Sequence, residues 1–128
     1  IAIAERENSV IKFEDNPDRY QQLTDENFIL VSMAHASYMQ YSETFADLVN
    51  KQFTKDLNLP SRGVKQAGFY VLVGASMPSV LIETGFLSNK TDADYLNSAA
   101  GQNKIAASIF EAIKHYKLYY DQVIEMEL

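Results

Sequence analysis

The fold is decided by one stretch, Met77-Pro78-Ser79-Val80-Leu81-Ile82-Glu83-Thr84-Gly85-Phe86-Leu87-Ser88-Asn89. Its apolar run at 80–82 follows a proline and predicts a short strand buried on both faces. Glu83 comes directly after this run, at the end of the strand where ligands collect in open α/β sheets. Partial burial there makes Glu83 a plausible general base near neutral pH. The alternative is a strand-end carboxylate that is paired with a nearby Lys or Arg.

The composition suits one globular domain of 128 residues, with 47% hydrophobic and 12% aromatic residues. The net charge of −6 leaves no basic patch for phosphates, so we expect no nucleic-acid partner. The absence of cysteine excludes disulfides, thiolate zinc sites and a cysteine nucleophile. No apolar run reaches the ~18–20 residues that a membrane span needs.

A second strand is predicted at about 69–73, where β-branched and aromatic residues are frequent, beside the first at about 79–83. The five residues 74–78 between them are too few for a parallel crossover, so the strands are antiparallel if they pair. Helices are predicted at about 4–12, 25–56, 92–96 and 102–120 from helical spacing and from capping residues, which include Thr24 and Thr91.

The predicted elements do not make a complete domain. Two strands form a marginal sheet, and the long helix presents more apolar surface than such a sheet covers. The chain also begins on Ile-Ala-Ile-Ala without a methionine, which indicates a processed or truncated product. Exposed strand edges and apolar helix faces favour self-association of such a fragment.

Three segments of the chain resemble one known family. They are Arg6-Glu7-Asn8-Ser9-Val10-Ile11, Arg62-Gly63-Val64-Lys65-Gln66-Ala67-Gly68-Phe69-Tyr70-Val71-Leu72 and the stretch at 77–89. In order and spacing they resemble the zinc-dependent N-acetylmuramoyl-L-alanine amidases of the amidase_3 type, over about residues 4–117. The resemblance implies a fragment of a three-layer α/β amidase fold, a twisted mixed sheet flanked by helices. Residues 1–128 would be the C-terminal portion of a single catalytic domain.

The resemblance also implies a reaction. In the family, zinc-activated water cleaves the amide between N-acetylmuramic acid and the L-alanine of the peptidoglycan stem peptide. The family's catalytic glutamate stands in a Leu-Ile-Glu-x-Gly-Phe pattern, which places it at Glu83. A carboxylate there can take a proton from water and return it to the departing amine.

The family's zinc ligands have no counterpart in this chain. They are a Gly-His-Gly-Gly histidine, a glutamate and a Ser-x-His-x-Asn histidine, all of which precede the segment that matches Arg6–Ile11. We therefore expect zinc as cofactor but its ligands upstream of residue 1, and we assign no metal ligand here. His35 lies mid-helix without a partner at ligand spacing, and His115 is predicted to be solvated.

Arg62 and Lys65 are the candidate substrate-binding residues. They could contact anionic groups of the muropeptide, or they could only anchor the glycine-bearing connector in which they lie. Glu7 is predicted to be a helix or interface residue.

The sequence therefore predicts an exported peptidoglycan hydrolase of the bacterial periplasm or cell envelope, of which this fragment alone is inactive. The alternative is a non-catalytic cell-wall binding or regulatory module that keeps the amidase C-terminal fold.

Overall fold

The computed structural model describes residues 2–16, 18, 25–57 and 59–128. In chain order its elements are α1 (Ala2–Asn8), a 3₁₀ turn (Ser9–Phe13), α2 (Asp25–Leu57), a 3₁₀ turn (Tyr70–Leu72), α3 (Lys90–Leu96) and α4 (Ala99–Glu127). The chain divides into two compact units. The N-terminal unit comprises Ile1–Ser42 and Lys65–Val80, and the C-terminal unit comprises Glu43–Val64 and Leu81–Leu128.

The predicted α/β fold with its mixed sheet is wrong, because the described residues form helices and contain no strand. The segment predicted as a strand at 69–73 contains the 3₁₀ turn Tyr70–Leu72. The segment predicted as a strand at 79–83 has no regular secondary structure.

The two segments do not pair as strands because some of their backbone N–H and C=O groups bond to side chains. The Asn8 side chain donates from Nδ2 to the carbonyl of Gly68 (2.9 Å), and its Oδ1 accepts from the N–H of Tyr70 (2.8 Å). The N–H of Ser79 donates to Oγ of Ser42 (2.9 Å). A strand needs a neighbouring backbone for these groups. Here side chains satisfy these three groups and local backbone bonds close the turn at 70–72, so apolar composition alone does not produce a sheet.

The first predicted helix, at about 4–12, is α-helical only as far as Asn8. α1 ends there and a 3₁₀ turn continues to Phe13. The hydroxyl of Ser9 donates to the carbonyl of Arg6 (2.6 Å), which is a local bond that competes with the regular helical ladder. Glu7 pairs with Arg6 at 3.1 Å, in agreement with the prediction of a helix residue.

The core of the C-terminal unit lies between α2 and α4. Phe45 stacks on Tyr116 with ring centroids 4.6 Å apart, and Ser108 donates a hydrogen bond to Asp56 (3.0 Å). Because the partner on α4 moves toward the N-terminus as the position on α2 advances, this part of α2 runs antiparallel to α4. The buried residues in these parts of α2 and α4 recur at helical spacing: Val49, Gln52, Ile105, Ser108 and Ala112.

A tight junction joins α3 to α4. Ser98 caps α4 by accepting from the N–H of Gly101 (2.9 Å), and its hydroxyl donates to the carbonyl of Tyr95 (2.8 Å). A Cβ on Gly101 would lie 2.0 Å from that carbonyl oxygen, so only glycine fits at this position.

The helix predictions fare better than the strand predictions. α2 ends one residue beyond the predicted end, whereas α4 is longer than predicted at both ends. α3 is capped by Asn89 rather than by Thr91, and the predicted cap Thr24 lies outside the described residues. No helix in the described ranges is both long and apolar enough to span a membrane.

Candidate active site

Glu83 lies in a segment of the C-terminal unit without regular secondary structure. Exposure alternates along it: Leu81 and Glu83 are exposed, whereas Ile82 and Thr84 are half-buried. Such alternation is typical of extended backbone, whose successive side chains point to opposite sides. The carboxylate therefore stands on the solvent side of the segment. The prediction of a partly buried Glu83 is wrong for the described chain.

The residues after Glu83 form a turn that is fixed to the start of α3. The N–H of Phe86 donates to Oδ2 of Asp92 (2.9 Å), and the N–H of Asn89 donates to the carbonyl of Phe86 (3.0 Å). Asn89 in turn accepts from the N–H of Asp92 at its Oδ1 (3.0 Å). This reciprocal arrangement resembles a capping box, except that the acidic side chain reaches back beyond the cap to Phe86.

Gly85 allows this turn. Its φ of +153° lies in a range that side-chain-bearing residues rarely adopt, and a Cβ there would lie 3.2 Å from Oδ2 of Asp92. The glycine two residues after Glu83 therefore lets the backbone approach the Asp92 carboxylate, which holds the chain just beyond the candidate base.

Arg62 packs on the same turn. Its guanidinium carbon lies 4.4 Å from the centroid of the Phe86 ring, in a cation–π contact. The connector around Arg62 is anchored to α2, because Ser61 donates from Oγ to Oδ1 of Asn50 (2.7 Å) and accepts from the N–H of Gly63 (3.0 Å). The structure thus brings Arg62 to the segment that carries Glu83. Lys65 belongs to the N-terminal unit and is exposed.

The described residues do not build a metal site. Among them, no group of three His, Cys, Asp or Glu side chains is placed to hold a metal ion. His115 is exposed on α4, as predicted, and the side chain of His35 lies outside what the structure describes. A surface depression of the C-terminal unit, which does not include Glu83, is lined by Leu87, Ala93, Asp94, Leu96 and Asn97.

Sequence reasoning missed two residues of this region, Phe86 and Asp92. The spacing of Asn89 and Asp92 is that of a capping pair and could have been recognised. The contact between Arg62 and Phe86 could not be predicted from the sequence, because 24 positions separate the two residues and no local pattern links a connector to a turn.

Comparison with known proteins identifies the class. The family model described as N-acetylmuramoyl-L-alanine amidase (Amidase_3) matches residues 11–115, a range that contains Arg62, Glu83 and the capped turn. The chain therefore belongs to the Amidase_3 family of N-acetylmuramoyl-L-alanine amidases, and the predicted resemblance is confirmed.

Individual relatives agree with the family match. The N-acetylmuramoyl-L-alanine amidase LytC of Bacillus subtilis is 37% identical over 75 residues, which cover 59% of this chain and 15% of LytC. The N-acetylmuramoyl-L-alanine amidase AmiA of Escherichia coli is 33% identical over 93 residues, covering 73% of this chain and 32% of AmiA. The uncharacterized protein YqiI of Bacillus subtilis is 42% identical over 81 residues, which cover 63% of this chain and 38% of YqiI. The chain spans less than half the length of these relatives. No solved structure gives a significant match.

Proposed function

We propose that the protein hydrolyses the amide between N-acetylmuramic acid and the L-alanine of the peptidoglycan stem peptide, with Glu83 as general base. The observation that carries the proposal is the family match over residues 11–115, which includes the Leu-Ile-Glu-x-Gly-Phe pattern around Glu83. Peptidoglycan lies outside the cytoplasmic membrane, so the proposed location is extracytoplasmic, in the periplasm or cell envelope.

The role of Glu83 follows from the chemistry of amide hydrolysis. The carboxylate accepts a proton from water as the water oxygen bonds to the scissile carbonyl carbon. The carbon–nitrogen bond then breaks, and the proton passes to the departing nitrogen of L-alanine. The products are a free carboxyl group on the lactyl arm of the sugar and a free amine on the peptide. The turn after Glu83 supports this role, because the hydrogen bond from the N–H of Phe86 to Asp92 holds the backbone just beyond the carboxylate.

Zinc, which the family resemblance implies, does not fit the described residues, since they supply no cluster of three suitable ligands. We propose that the zinc ligands lie outside this sequence. The proposed domain assignment agrees with this, in that residues 1–128 form the C-terminal portion of a longer catalytic domain. Self-association of the fragment stays a prediction.

Product analysis tests the proposed bond specificity. Purified peptidoglycan is incubated with the full-length protein, and the new end groups are identified by mass spectrometry. We expect free amino termini on L-alanine together with uncut glycan strands. New reducing sugar ends, or cleavage between amino acids, would contradict the proposal. Binding to the cell wall without any cleavage would favour a non-catalytic module.

A further inference from the structure

The stacked pair Arg62–Phe86 carries a charge that the described part of the chain does not neutralise. Arg62 is exposed, and within the described ranges its contact is with the Phe86 ring rather than with a carboxylate. Among the described residues, nothing therefore prevents this cation from binding an added anion.

The contact with Phe86 determines which part of the Arg62 guanidinium remains available. One ring contacts one side of the planar guanidinium, so the N–H donors on its other sides are directed away from Phe86. Those donors form a rigid fork that matches the two oxygens of a carboxylate and binds them with paired, charge-assisted hydrogen bonds. The ring also limits the rotation of the side chain, which lowers the entropy lost when an anion binds.

Both partners of the stack are held by their own backbone contacts. On one side, Ser61 links the connector to Asn50 of α2. On the other side, the N–H of Phe86 donates to Asp92 of α3. The fork is therefore presented from two anchored segments rather than from a free loop.

Phe86 follows Glu83 by three residues, so their Cα atoms are at most about 11 Å apart. That span corresponds to about three residues of an extended peptide. The Arg62–Phe86 contact and Glu83 thus lie along one short stretch of the chain, which a single extended substrate can follow. A stem-peptide carboxylate a few residues beyond the scissile amide is therefore the anion that suits the Arg62 guanidinium.

We propose that the Arg62–Phe86 pair binds a carboxylate of the stem peptide and makes the enzyme prefer stems with a free carboxylate over stems in which that group is a carboxamide. This inference rests on the proposed function. Arg62 acts in substrate binding and takes no part in proton transfer.

The test compares two soluble muramoyl peptides that differ only in a stem carboxylate or its carboxamide, with the full-length protein. We expect wild type to have a KM about tenfold to a hundredfold lower for the carboxylate form, with similar kcat for both. Arg62→Gln should raise KM for the carboxylate form by about the same factor and leave the carboxamide form unchanged. Arg62→Lys, which keeps the charge but loses the fork, should restore part of the preference.

Two further variants complete the test. Phe86→Leu keeps apolar volume but removes the π face, so it should raise KM for the carboxylate form by a smaller factor. Lys104→Gln, which removes an exposed charge from α4, is the matched control and should leave both KM values unchanged. Equal KM values for the two peptides with wild-type protein would overturn the inference while leaving the proposed function intact, and this comparison does not depend on any variant folding. Hydrolysis of neither peptide, with peptidoglycan also intact, would remove the proposed function and this inference together.

Discussion

The side chain of Asn8 takes the place of a strand partner. Its amide donates to Gly68 and accepts from Tyr70, so one residue near the start of the chain satisfies two backbone groups about 60 positions later. Asn8 lies in the first of the segments on which the family resemblance rests, and Gly68 and Tyr70 lie in the second. The Arg-Glu-Asn-Ser pattern thus has a structural role within the N-terminal unit, separate from any role in catalysis.

Asn8→Asp tests this role with an almost isosteric change. The variant loses the donor to Gly68 and places a carboxylate oxygen against a carbonyl oxygen. We expect the free energy of unfolding to fall by about 1–3 kcal/mol, as measured by urea denaturation of the purified chain. Asn103→Asp makes the same chemical change at an exposed position of α4 and should alter stability by less than about 0.5 kcal/mol. Equal stability of the two variants would show that the Asn8 bonds contribute little.

For single residues, the sequence predicts which positions are functional candidates better than it predicts their burial and contacts. The Leu-Ile-Glu-x-Gly-Phe pattern singles out Glu83, and the need for a turn singles out Gly85. The exposure of Glu83 could not be predicted, because the strand assumed to bury it does not form. Arg62 was a candidate for binding, but its contact with Phe86 depends on how two distant segments meet.

Among the elements, α2 and α4 are joined by polar as well as apolar contacts. Asp56 of α2 accepts hydrogen bonds from Gln52 on its own helix (2.7 Å) and from Ser108 on α4 (3.0 Å). The hydrogen bond from Gln52 is the main cause that holds the pKa of Asp56 below its ordinary value. The Ser108 hydrogen bond and the nearby Lys55 also lower this pKa, while desolvation opposes them.

This lowered pKa predicts a pH dependence of stability. The folded state favours the carboxylate form of Asp56, so its contribution is present above the unfolded pKa of about 4 and is lost as pH falls through the lower folded pKa. Asp56→Asn should therefore be less stable than wild type at pH 6, and the difference should shrink as the pH falls below about 4. Urea denaturation at a series of pH values measures this.

The control for the Asp56 prediction is Asp15→Asn, which neutralises an exposed carboxylate of the N-terminal unit. This variant removes one negative charge and leaves the contact between α2 and α4 intact. The contradicting result is a difference in unfolding free energy between Asp56→Asn and wild type that stays constant from pH 6 to below about pH 4. That result would mean that the contact between α2 and α4 does not depend on the charge of Asp56.

The elements also show why helices were predicted more reliably than strands. Helical periodicity and caps are local signals, and α2, α3 and α4 all form close to the predicted positions. A strand depends on a neighbour that no local pattern specifies. The N–H of Tyr70 bonds to Asn8 and the N–H of Ser79 bonds to Ser42, while Leu72 and Val73 close a local turn, so a β-rich composition yields a turn and an irregular segment.

On the scale of the whole molecule, the family match spans both compact units, while each unit has its own internal contacts. The C-terminal unit holds the candidate site: Glu83 on an exposed segment, the turn fixed by Asp92, and the Arg62–Phe86 stack. The described residues supply no metal cluster. In the function proposed above, this chain contributes the proton transfer and the recognition of the stem peptide, and the zinc ligands come from outside the described residues.

The most direct test of the account is the rate at which Glu83→Gln, in the full-length protein, releases L-alanine amino termini from purified peptidoglycan. Glu125→Gln, which neutralises an exposed carboxylate near the end of α4, is the matched control. We expect the rate for Glu83→Gln to fall by about 10²–10⁴, as for removal of a general base, with an unchanged circular dichroism spectrum and a control as active as wild type. A Glu83→Gln protein that retains the wild-type rate would contradict the central claim.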